Sequence, residues 1–162
     1  MQFVSSVYSC LEHKLFSVGV FLDMSKAFDS LNHKILLAKL KNIGVRGVPL
    51  ELFASYLSNR SQFVYCNNSS SSFQTIVKGV PQGSILGPIM FLIYINDIVH
   101  ASSKFSFVIY ADDTILLISD KSLNTLHLNL NSELQHISQW MKSNKLTLNV
   151  TKTNYIYFKT VH

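Results

Sequence analysis

Residues 105–119 read F-S-F-V-I-Y-A-D-D-T-I-L-L-I-S. Two apolar, β-forming runs, 105–110 and 114–118, flank the adjacent carboxylates Asp112 and Asp113. This pattern predicts a tight β-hairpin with both aspartates at its turn. Adjacent carboxylates repel each other and apolar flanks hinder their solvation, so a divalent cation is the simplest partner for them. The alternative is an ordinary turn, because aspartate tolerates turn geometry.

The composition indicates one globular domain. The chain has 162 residues, of which 48% are hydrophobic and 14% are charged, so it can bury a core and is not disordered. Its net charge of +5 fits a nucleic-acid partner without requiring one. Cys10 and Cys66 match no metal-binding spacing and are expected to be reduced core residues, and the histidines form no zinc-site pattern.

The sequence also argues against a secreted or membrane protein. Residues 1–10 lack the basic region of a signal peptide. The uncharged stretch 79–96 is interrupted by Pro81 and Pro88, and its purely apolar part is too short to cross a bilayer, so we expect it to be buried core. We therefore expect an intracellular protein, nuclear or cytoplasmic, that is not bound to a membrane.

Periodicity and turn signals predict the order of the remaining elements. In chain order these are a helix over 3–16, a buried strand over 18–22, a helix from Ser30 or Asn32 to about 43, a helix over 49–57, a strand pair over 62–66 and 73–77 joined by a polar loop, a helix over 84–99, the hairpin, an amphipathic helix over 121–144 and a strand over 154–158. This βαββαβ order predicts an α+β, ferredoxin-like sheet with helices on one face and an insertion at 44–88.

Two further segments carry candidate site residues. The run 18–22 is apolar on both faces, as in a central strand, and Asp23 directly follows it. Asp23 is therefore a second candidate metal ligand, and the alternative is that it caps a helical turn. Residues 78–88 read K-G-V-P-Q-G-S-I-L-G-P, a loop whose glycines let the backbone approach a ligand closely. The alternative is an ordinary loop with Ser84 as a helix cap.

Four stretches of the chain resemble, in order, the palm motifs of reverse transcriptases. They are F-L-D-M-S-K-A-F-D at 21–29, G-V-P-Q-G-S-I-L-G-P at 79–88, Y-A-D-D at 110–113, and Trp140 with the segment 146–153 that ends in N-V-T-K-T. The first two are most similar to those of non-long-terminal-repeat (LINE, jockey-type) retrotransposons. The resemblance implies a polymerase palm, with 44–88 as a partial fingers region.

The resemblance also implies a two-metal site. Nucleotide transfer by such enzymes uses two ions about 3.5–4 Å apart, one at the attacking oxygen and one at the leaving oxygen. Asp23 and Asp112 would bridge two Mg²⁺ ions, for which Mn²⁺ can substitute, together with the backbone carbonyl of Met24. Asp113 would be the third carboxylate, at the primer end.

Other roles implied by the resemblance concern the nucleotide. Phe28 would stack under the incoming sugar and reject a 2′-hydroxyl, whereas the residue type alone favours a core aromatic. Gln82 and Gly83 would line the nucleotide and template pocket. Lys152 would donate a proton to the departing pyrophosphate, with a solvated surface lysine as the alternative. Asp29 is expected to be structural, in a turn or a cap.

The function implied is that of an RNA-directed DNA polymerase acting on an RNA template, a DNA primer and deoxynucleoside triphosphates. The thumb and most of the fingers are not evident, so the chain is expected to be a fragment of a longer polyprotein. The main alternative is a catalytically silent palm relic that binds nucleic acid or another protein. A nucleotidyl cyclase ranks lower, because its G-G-D-E-F-type hairpin is missing, and a small membrane protein ranks lowest.

Overall fold

The computed structural model describes residues 2–160. The helices are α1 (Gln2–Glu12), α2 (Ala27–Ser30), α3 (His33–Asn42), α4 (Val48–Leu57), α5 (Leu86–Ile95), followed by a 3-10 turn (Asn96–His100), and α6 (Leu123–Ser143). The strands are β1 (Phe16–Leu22), β2 (Ser61–Gln62), β3 (Tyr65–Cys66), β4 (Ser69–Ser70), β5 (Gln74–Thr75), β6 (Ser106–Tyr110), β7 (Asp113–Asp120) and β8 (Asn154–Phe158). The contacts divide the chain into two compact units, one formed by the residues up to Ser25 and from Ile95 onward, the other by Lys26–Tyr94.

An antiparallel four-stranded sheet organises the first unit. Its strand order is β6-β7-β1-β8, so β1 lies in the interior with a partner on each side. This position explains why 18–22 is apolar on both faces: Val18, Val20 and Leu22 are all buried. The strand predicted there is confirmed and begins earlier, at Phe16. The predicted final strand is confirmed with the bounds of β8.

Helices lie on both faces of this sheet. Val20 and the apolar side of α6 line the same groove on one face. On the other face the ring of Phe3, in α1, packs edge-on against Phe21 with ring centroids 5.6 Å apart. Gly19 makes room for this contact, because a Cβ there would lie 2.8 Å from the Phe3 ring. The expectation that helices cover only one face is therefore wrong for α1.

Helix α6 confirms the predicted amphipathic helix but does not close over the sheet. Leu126, Ile137 and Met141 are buried, whereas Leu130 and Leu134 line an open, mostly apolar groove of about 940 Å³. Tyr157 of β8 also lines this groove, and burial raises the pKa of its phenol. The groove leaves a broad apolar surface uncovered in this chain.

The uncovered apolar surface is expected to make the chain associate in solution. Static light scattering should show an average mass that rises with protein concentration. Replacing both Leu130 and Leu134 by glutamine should reduce this rise, because it makes the groove polar. The control is Ile85→Gln, which changes a side chain that is 89% exposed and lies outside the groove. A constant monomer mass over the whole concentration range would contradict the expectation.

The second unit confirms two predicted helices and corrects one loop. The Asn32 side chain caps α3 by accepting a hydrogen bond from the backbone of Ile35, and Pro49 lies in the first turn of α4. Residues 61–77 form two small hairpins, β2 with β5 and β3 with β4. The polar loop predicted at 67–72 therefore contains β4, because Asn67 and Asn68 adopt the positive φ of a tight turn.

Two burial expectations are wrong in part. Helix α5 buries Met90 and Phe91, but Ile89 and Leu92 on the same helix are 49% and 42% exposed, so 79–96 is only partly core. Both cysteines are free, as expected, yet Cys66 is exposed and Cys10 is only half-buried. No helix within residues 2–160 has both the length and the apolar character needed to cross a membrane.

Candidate active site

The aspartate pair lies where β6 turns back into β7. Tyr110 pairs with Asp113, which leaves Ala111 and Asp112 as a two-residue turn. Ala111 has a φ of +50°, a conformation that costs an alanine about 1–2 kcal/mol. The predicted hairpin is confirmed, but Asp113 is the first residue of β7 and not part of the turn, so the two carboxylates have different local settings.

The pairing of β1 with β7 brings Asp23 to this hairpin. The last registered pair is Leu22 with Thr114. Asp23 follows Leu22 and Asp113 precedes Thr114, so continuation of the same register places Asp23 opposite Asp113. Asp112 is one residue further along. The register therefore leads Asp23 toward the hairpin that holds Asp112, which is 89 residues later in the sequence (112 − 23).

Asp23 is held from its other side by residues 147–153. Its backbone carbonyl accepts a hydrogen bond from the Asn149 N–H at 2.8 Å. Its own N–H donates to Thr153 Oγ1 at 3.2 Å, across 130 residues of sequence. Asp23 is half-buried in this setting, whereas Asp112 and Asp113 are exposed.

Met24 continues the chain as one half of an isolated bridge to Leu148. The hydrogen bonds of this bridge use the Asp23 carbonyl and the N–H of Ser25, which donates to Thr147 O at 2.9 Å. The backbone groups of Met24 itself are not used in it. The Met24 carbonyl therefore makes no hydrogen bond within this bridge. Its predicted role as a metal ligand requires that it be available in this way.

Lys152 lies in the exposed turn that precedes β8. Its backbone N–H donates to Asn149 O at 3.2 Å, and its side chain is exposed. It is the neighbour of Thr153 in the sequence, and through that residue it belongs to the segment that contacts Asp23. The structure places Lys152 beside this part of the site and leaves its proton-donor role a prediction.

The loop after Lys78 lies along α2 in the second unit. The Gly79 N–H donates to Leu31 O at 2.7 Å and the Val80 N–H donates to Phe28 O at 2.9 Å. Gln82 Nε2 then donates to Asp29 Oδ1 at 2.9 Å. This contact was not predicted, and it means that Asp29 acts on the orientation of a predicted nucleotide-binding side chain.

Phe28 and Gly83 are the other nucleotide candidates in this unit. The half-buried ring of Phe28 packs on Phe91 with centroids 5.1 Å apart, so one side of it is fixed by the core. Gly83 is exposed in a turn and has a φ of +76°, which favours glycine. Ser84 Oγ accepts a hydrogen bond from the Gly87 N–H, so the capping alternative for Ser84 is realised at the entrance to α5.

The predicted ligands Asp23, Asp112 and Asp113 do not form a three-carboxylate metal site in this structure. Within residues 2–160 no group of three or more Asp, Glu, His or Cys side chains is placed so that it could hold a metal ion. Mg²⁺ is typically bound through one or two carboxylates, with phosphates and water as its other ligands. Asp23, Asp112 and the Met24 carbonyl supply oxygen donors of this kind.

The family of the chain follows from comparison with known proteins. Residues 3–161 match the family model described as reverse transcriptase (RNA-dependent DNA polymerase). The chain belongs to the reverse transcriptase family. It is 31% identical over 165 residues to the RNA-directed DNA polymerase from mobile element jockey of Drosophila melanogaster, an alignment that covers 96% of this chain and 18% of that protein.

Further relatives agree on the type of reverse transcriptase. The probable RNA-directed DNA polymerase from transposon BS of Drosophila melanogaster is 31% identical over 157 residues, covering 91% of this chain and 17% of that protein. The predicted kinship with non-long-terminal-repeat retrotransposons is therefore confirmed. This reverse transcriptase chain spans less than a fifth of the length of these curated relatives.

Solved structures share the fold at low sequence identity. Apo telomerase from Candida tropicalis matches with a TM-score of 0.68 and 16% identity, covering 96% of this chain and 31% of that one. Telomerase from Candida albicans, solved with a fragment of telomeric RNA, matches with a TM-score of 0.67 and 16% identity, covering 96% and 30%. This reverse transcriptase chain therefore has a mixed helix-and-sheet fold similar to that of telomerase.

Proposed function

We propose that the chain is the catalytic palm of an RNA-directed DNA polymerase from a non-long-terminal-repeat retrotransposon. Its substrates are an RNA template, a DNA primer and deoxynucleoside triphosphates. The observation that carries the proposal is the register of β1 with β7, which leads Asp23 to the Asp112–Asp113 hairpin. The names of the relatives support the same activity.

The topology supports assignment of the sheet as a ferredoxin-like palm. Numbered in chain order, β1, β6, β7 and β8 lie in the order 2-3-1-4 and are all antiparallel, as a βαββαβ unit requires. We assign residues 44–88 to a partial fingers region inserted in this palm. The small share of each relative that the chain covers supports its assignment to a longer polyprotein that supplies the thumb and the rest of the fingers.

In nucleotide transfer the carboxylates would hold two Mg²⁺ ions. Asp23 and Asp112 would bind them with the Met24 carbonyl, and Asp113 would support the primer end. When bound, the ions supply Lewis-acid stabilisation at the attacking and leaving oxygens. The proton of the primer 3′-hydroxyl passes to water, and the 3′-oxygen forms a bond to the α-phosphorus of the nucleotide. The α–β phosphoanhydride bond breaks, and Lys152 gives a proton to the departing pyrophosphate.

The residues of the second unit bind and select the nucleotide. Gln82 presents its carboxamide with one N–H already donated to Asp29, so its orientation is fixed before the nucleotide arrives. Gly83 lets the backbone approach the nucleotide and template without a side chain. The ring of Phe28, held by Phe91, excludes a 2′-hydroxyl from the sugar site.

Primer extension on an RNA template tests the proposal. The rate at which the purified chain extends a DNA primer with Mg²⁺ or Mn²⁺ should fall by about a thousandfold or more in Asp112→Asn, because the substitution removes the charge of a proposed metal ligand. The matched control is Asp120→Asn at the far end of β7, where the carboxylate bonds the backbone of Ser122. Its rate should stay within about twofold of the parent chain.

Two outcomes would overturn the proposal. Equal extension by the parent chain and Asp112→Asn would show that this carboxylate takes no part. Absence of both extension and Asp112-dependent Mn²⁺ binding in the parent chain would show that the hairpin is not a metal site. The silent-relic alternative predicts the second result, together with RNA binding that is indifferent to Asp23 and Asp112 and weakens with salt.

A further inference from the structure

We infer that Thr153 is a positioning residue of this site, which sets the backbone of Asp23 so that its Cα–Cβ bond has a fixed direction before a metal ion binds. The inference rests on the proposed function, because it concerns the same metal ligand. It goes beyond it in assigning a role to the Thr153 side chain, in the turn that directly precedes β8. All the contacts involved lie within the first unit of the chain.

Asp23 lies where the sheet no longer supports β1. The ladder with β8 ends at the pair of Phe21 with Asn154, and the ladder with β7 ends at the pair of Leu22 with Thr114. The N–H of Asp23 therefore has no ladder partner within the described strands. A half-buried backbone N–H without a partner is costly, and Thr153 Oγ1 supplies that partner at 3.2 Å.

The second backbone group of Asp23 is fixed by the same segment. Its carbonyl accepts from the Asn149 N–H at 2.8 Å, so residues 149 and 153 bind the two sides of one residue. With both groups bonded, rotation about the backbone of Asp23 is restricted. The direction of its Cα–Cβ bond, and with it the region that the carboxylate can reach, is fixed without help from a ligand.

Thr153 is itself held in place. Its backbone N–H donates to Asn149 O at 2.9 Å, which closes the turn 149–153. Its β-branched side chain is stiff about the first torsion, so the hydroxyl oxygen is presented in few orientations. Lys152, the predicted proton donor, is the neighbouring residue in this turn. The hydrogen bond from the Asp23 N–H to Thr153 therefore also links the turn that carries Lys152 to the predicted metal ligand.

The consequence concerns metal affinity. A metal ligand whose backbone must be ordered when the ion binds loses affinity relative to one whose backbone is ordered beforehand. Removal of a group that orients a metal ligand typically costs about 10- to 100-fold in affinity. Because Thr153 acts on the backbone and not on the carboxylate itself, we expect the lower end of this range.

Mn²⁺ binding to the full chain tests this, with free Mn²⁺ followed by electron paramagnetic resonance. Thr153→Val keeps the shape and removes the acceptor oxygen, and should weaken Asp112-dependent Mn²⁺ binding about tenfold. Thr153→Ser keeps the oxygen and should bind within about twofold of the parent chain. Thr151→Val removes a hydroxyl of the same turn, one that donates to Asn149 Oδ1, and should also bind like the parent.

A measurement without metal distinguishes loss of the Asp23 backbone contact from general destabilisation of the fold. Exchange of the Asp23 amide hydrogen should accelerate at least about tenfold in Thr153→Val and not in Thr153→Ser or Thr151→Val. Thr153→Ala removes the same oxygen with a smaller side chain and replaces Thr153→Val if that variant does not fold.

The inference and the proposed function fail in different ways. Equal Mn²⁺ affinity in Thr153→Val and Thr153→Ser overturns the inference and leaves the metal site standing. Equal weakening by Thr153→Val and Thr151→Val also overturns it, because the effect would then belong to the turn. Mn²⁺ binding by the parent chain that Asp112→Asn does not alter overturns the proposed function, and the inference with it.

Discussion

The Gly79→Ala variant is expected to lose about 4 kcal/mol of the free energy of unfolding, a large part of the total for a domain of this size. A Cβ at Gly79 would lie 2.8 Å from both Cα and the carbonyl oxygen of Asp29. These are backbone atoms, which cannot rotate away as a side chain can. The Gly79 N–H is in addition fixed to Leu31 O at 2.7 Å, so the loop has little room to shift.

Backbone conformation adds to this crowding. Gly79 has a φ of +84°, which costs a residue with a Cβ about 1–2 kcal/mol. Any shift that relieves the contact would part the loop from α2 and weaken the hydrogen bond from Gln82 to Asp29. Nucleotide affinity should therefore fall along with stability, while Mn²⁺ binding at the Asp112 hairpin should be less affected.

Gly83→Ala is the matched control for the steric part of this effect. Gly83 also has a positive φ, +76°, but no heavy atom lies within 4 Å of the position of its Cβ. Its replacement should cost only the strain, about 1 kcal/mol. Urea unfolding of the three proteins measures both losses. Equal losses for the two variants would show that the approach to Asp29 is not what makes glycine necessary at position 79.

The sequence predicted those parts of the molecule whose signals are local. The apolar run at 18–22, the turn pair Asp112–Asp113 and the 3.6-residue period of α6 each reflect contacts that neighbours along the chain impose. Their positions are confirmed, and the pairing of β1 with β7 directs Asp23 toward the hairpin. The backbone conformation of the hairpin turn was not predicted in this way. Its positive φ belongs to Ala111, and alanine is not a residue type that indicates a positive φ.

Such local signals could not predict contacts between segments that are distant in the sequence. The hydrogen bond from the Asp23 N–H to Thr153 joins residues 130 apart, and a threonine in a polar turn has many partners available to it. The bond from Gln82 to Asp29 spans 53 residues and depends on how the loop lies along α2. Residue type and spacing cannot specify either pairing, because each follows from the packed structure.

Glu133 was missed although the sequence contains a signal for it. It is seven residues after Leu126 and four before Ile137, both of which are buried, so it falls on the apolar face of α6. A carboxylate on such a face needs a partner when it is buried. Glu133 is only 4% exposed, and Ser102 Oγ donates to its Oε2 at 2.5 Å. The partner could not be named from the spacing alone.

Replacing Ser102 by alanine is expected to reduce the free energy of unfolding at pH 7 by about 3 kcal/mol. The hydroxyl is the centre of a buried network at the start of β6. It donates to Glu133, and its oxygen accepts from the N–H groups of Lys104 and Phe105 at 3.2 and 3.1 Å. Alanine would leave one buried carboxylate and two backbone donors short of a partner.

The loss should depend on pH in a defined direction. The Ser102 hydrogen bond, and to a smaller extent His136, lowers the pKa of Glu133 from its ordinary 4.5, while burial acts to raise it. A carboxyl with a lowered folded-state pKa stabilises the fold above the unfolded pKa, and this contribution is lost as the pH falls through the folded value. In Ser102→Ala the largest of the causes that lower the pKa of Glu133 is removed, while burial and His136 remain. The pKa of Glu133 is therefore higher in the variant than in the parent chain, and protonation of Glu133 offsets part of the loss as the pH falls.

The difference in stability between the parent chain and Ser102→Ala should therefore shrink from pH 7 to pH 4, which urea unfolding at each pH would measure. Ser103→Ala is the matched control, because Ser103 is adjacent and exposed. Its stability should stay within about 0.5 kcal/mol of the parent at every pH. A Ser102→Ala loss that did not change with pH would assign the whole cost to the N–H groups of Lys104 and Phe105. The serine would then act as a backbone cap for β6, and the charge of Glu133 would contribute nothing to the stability of the strand that leads to Asp112.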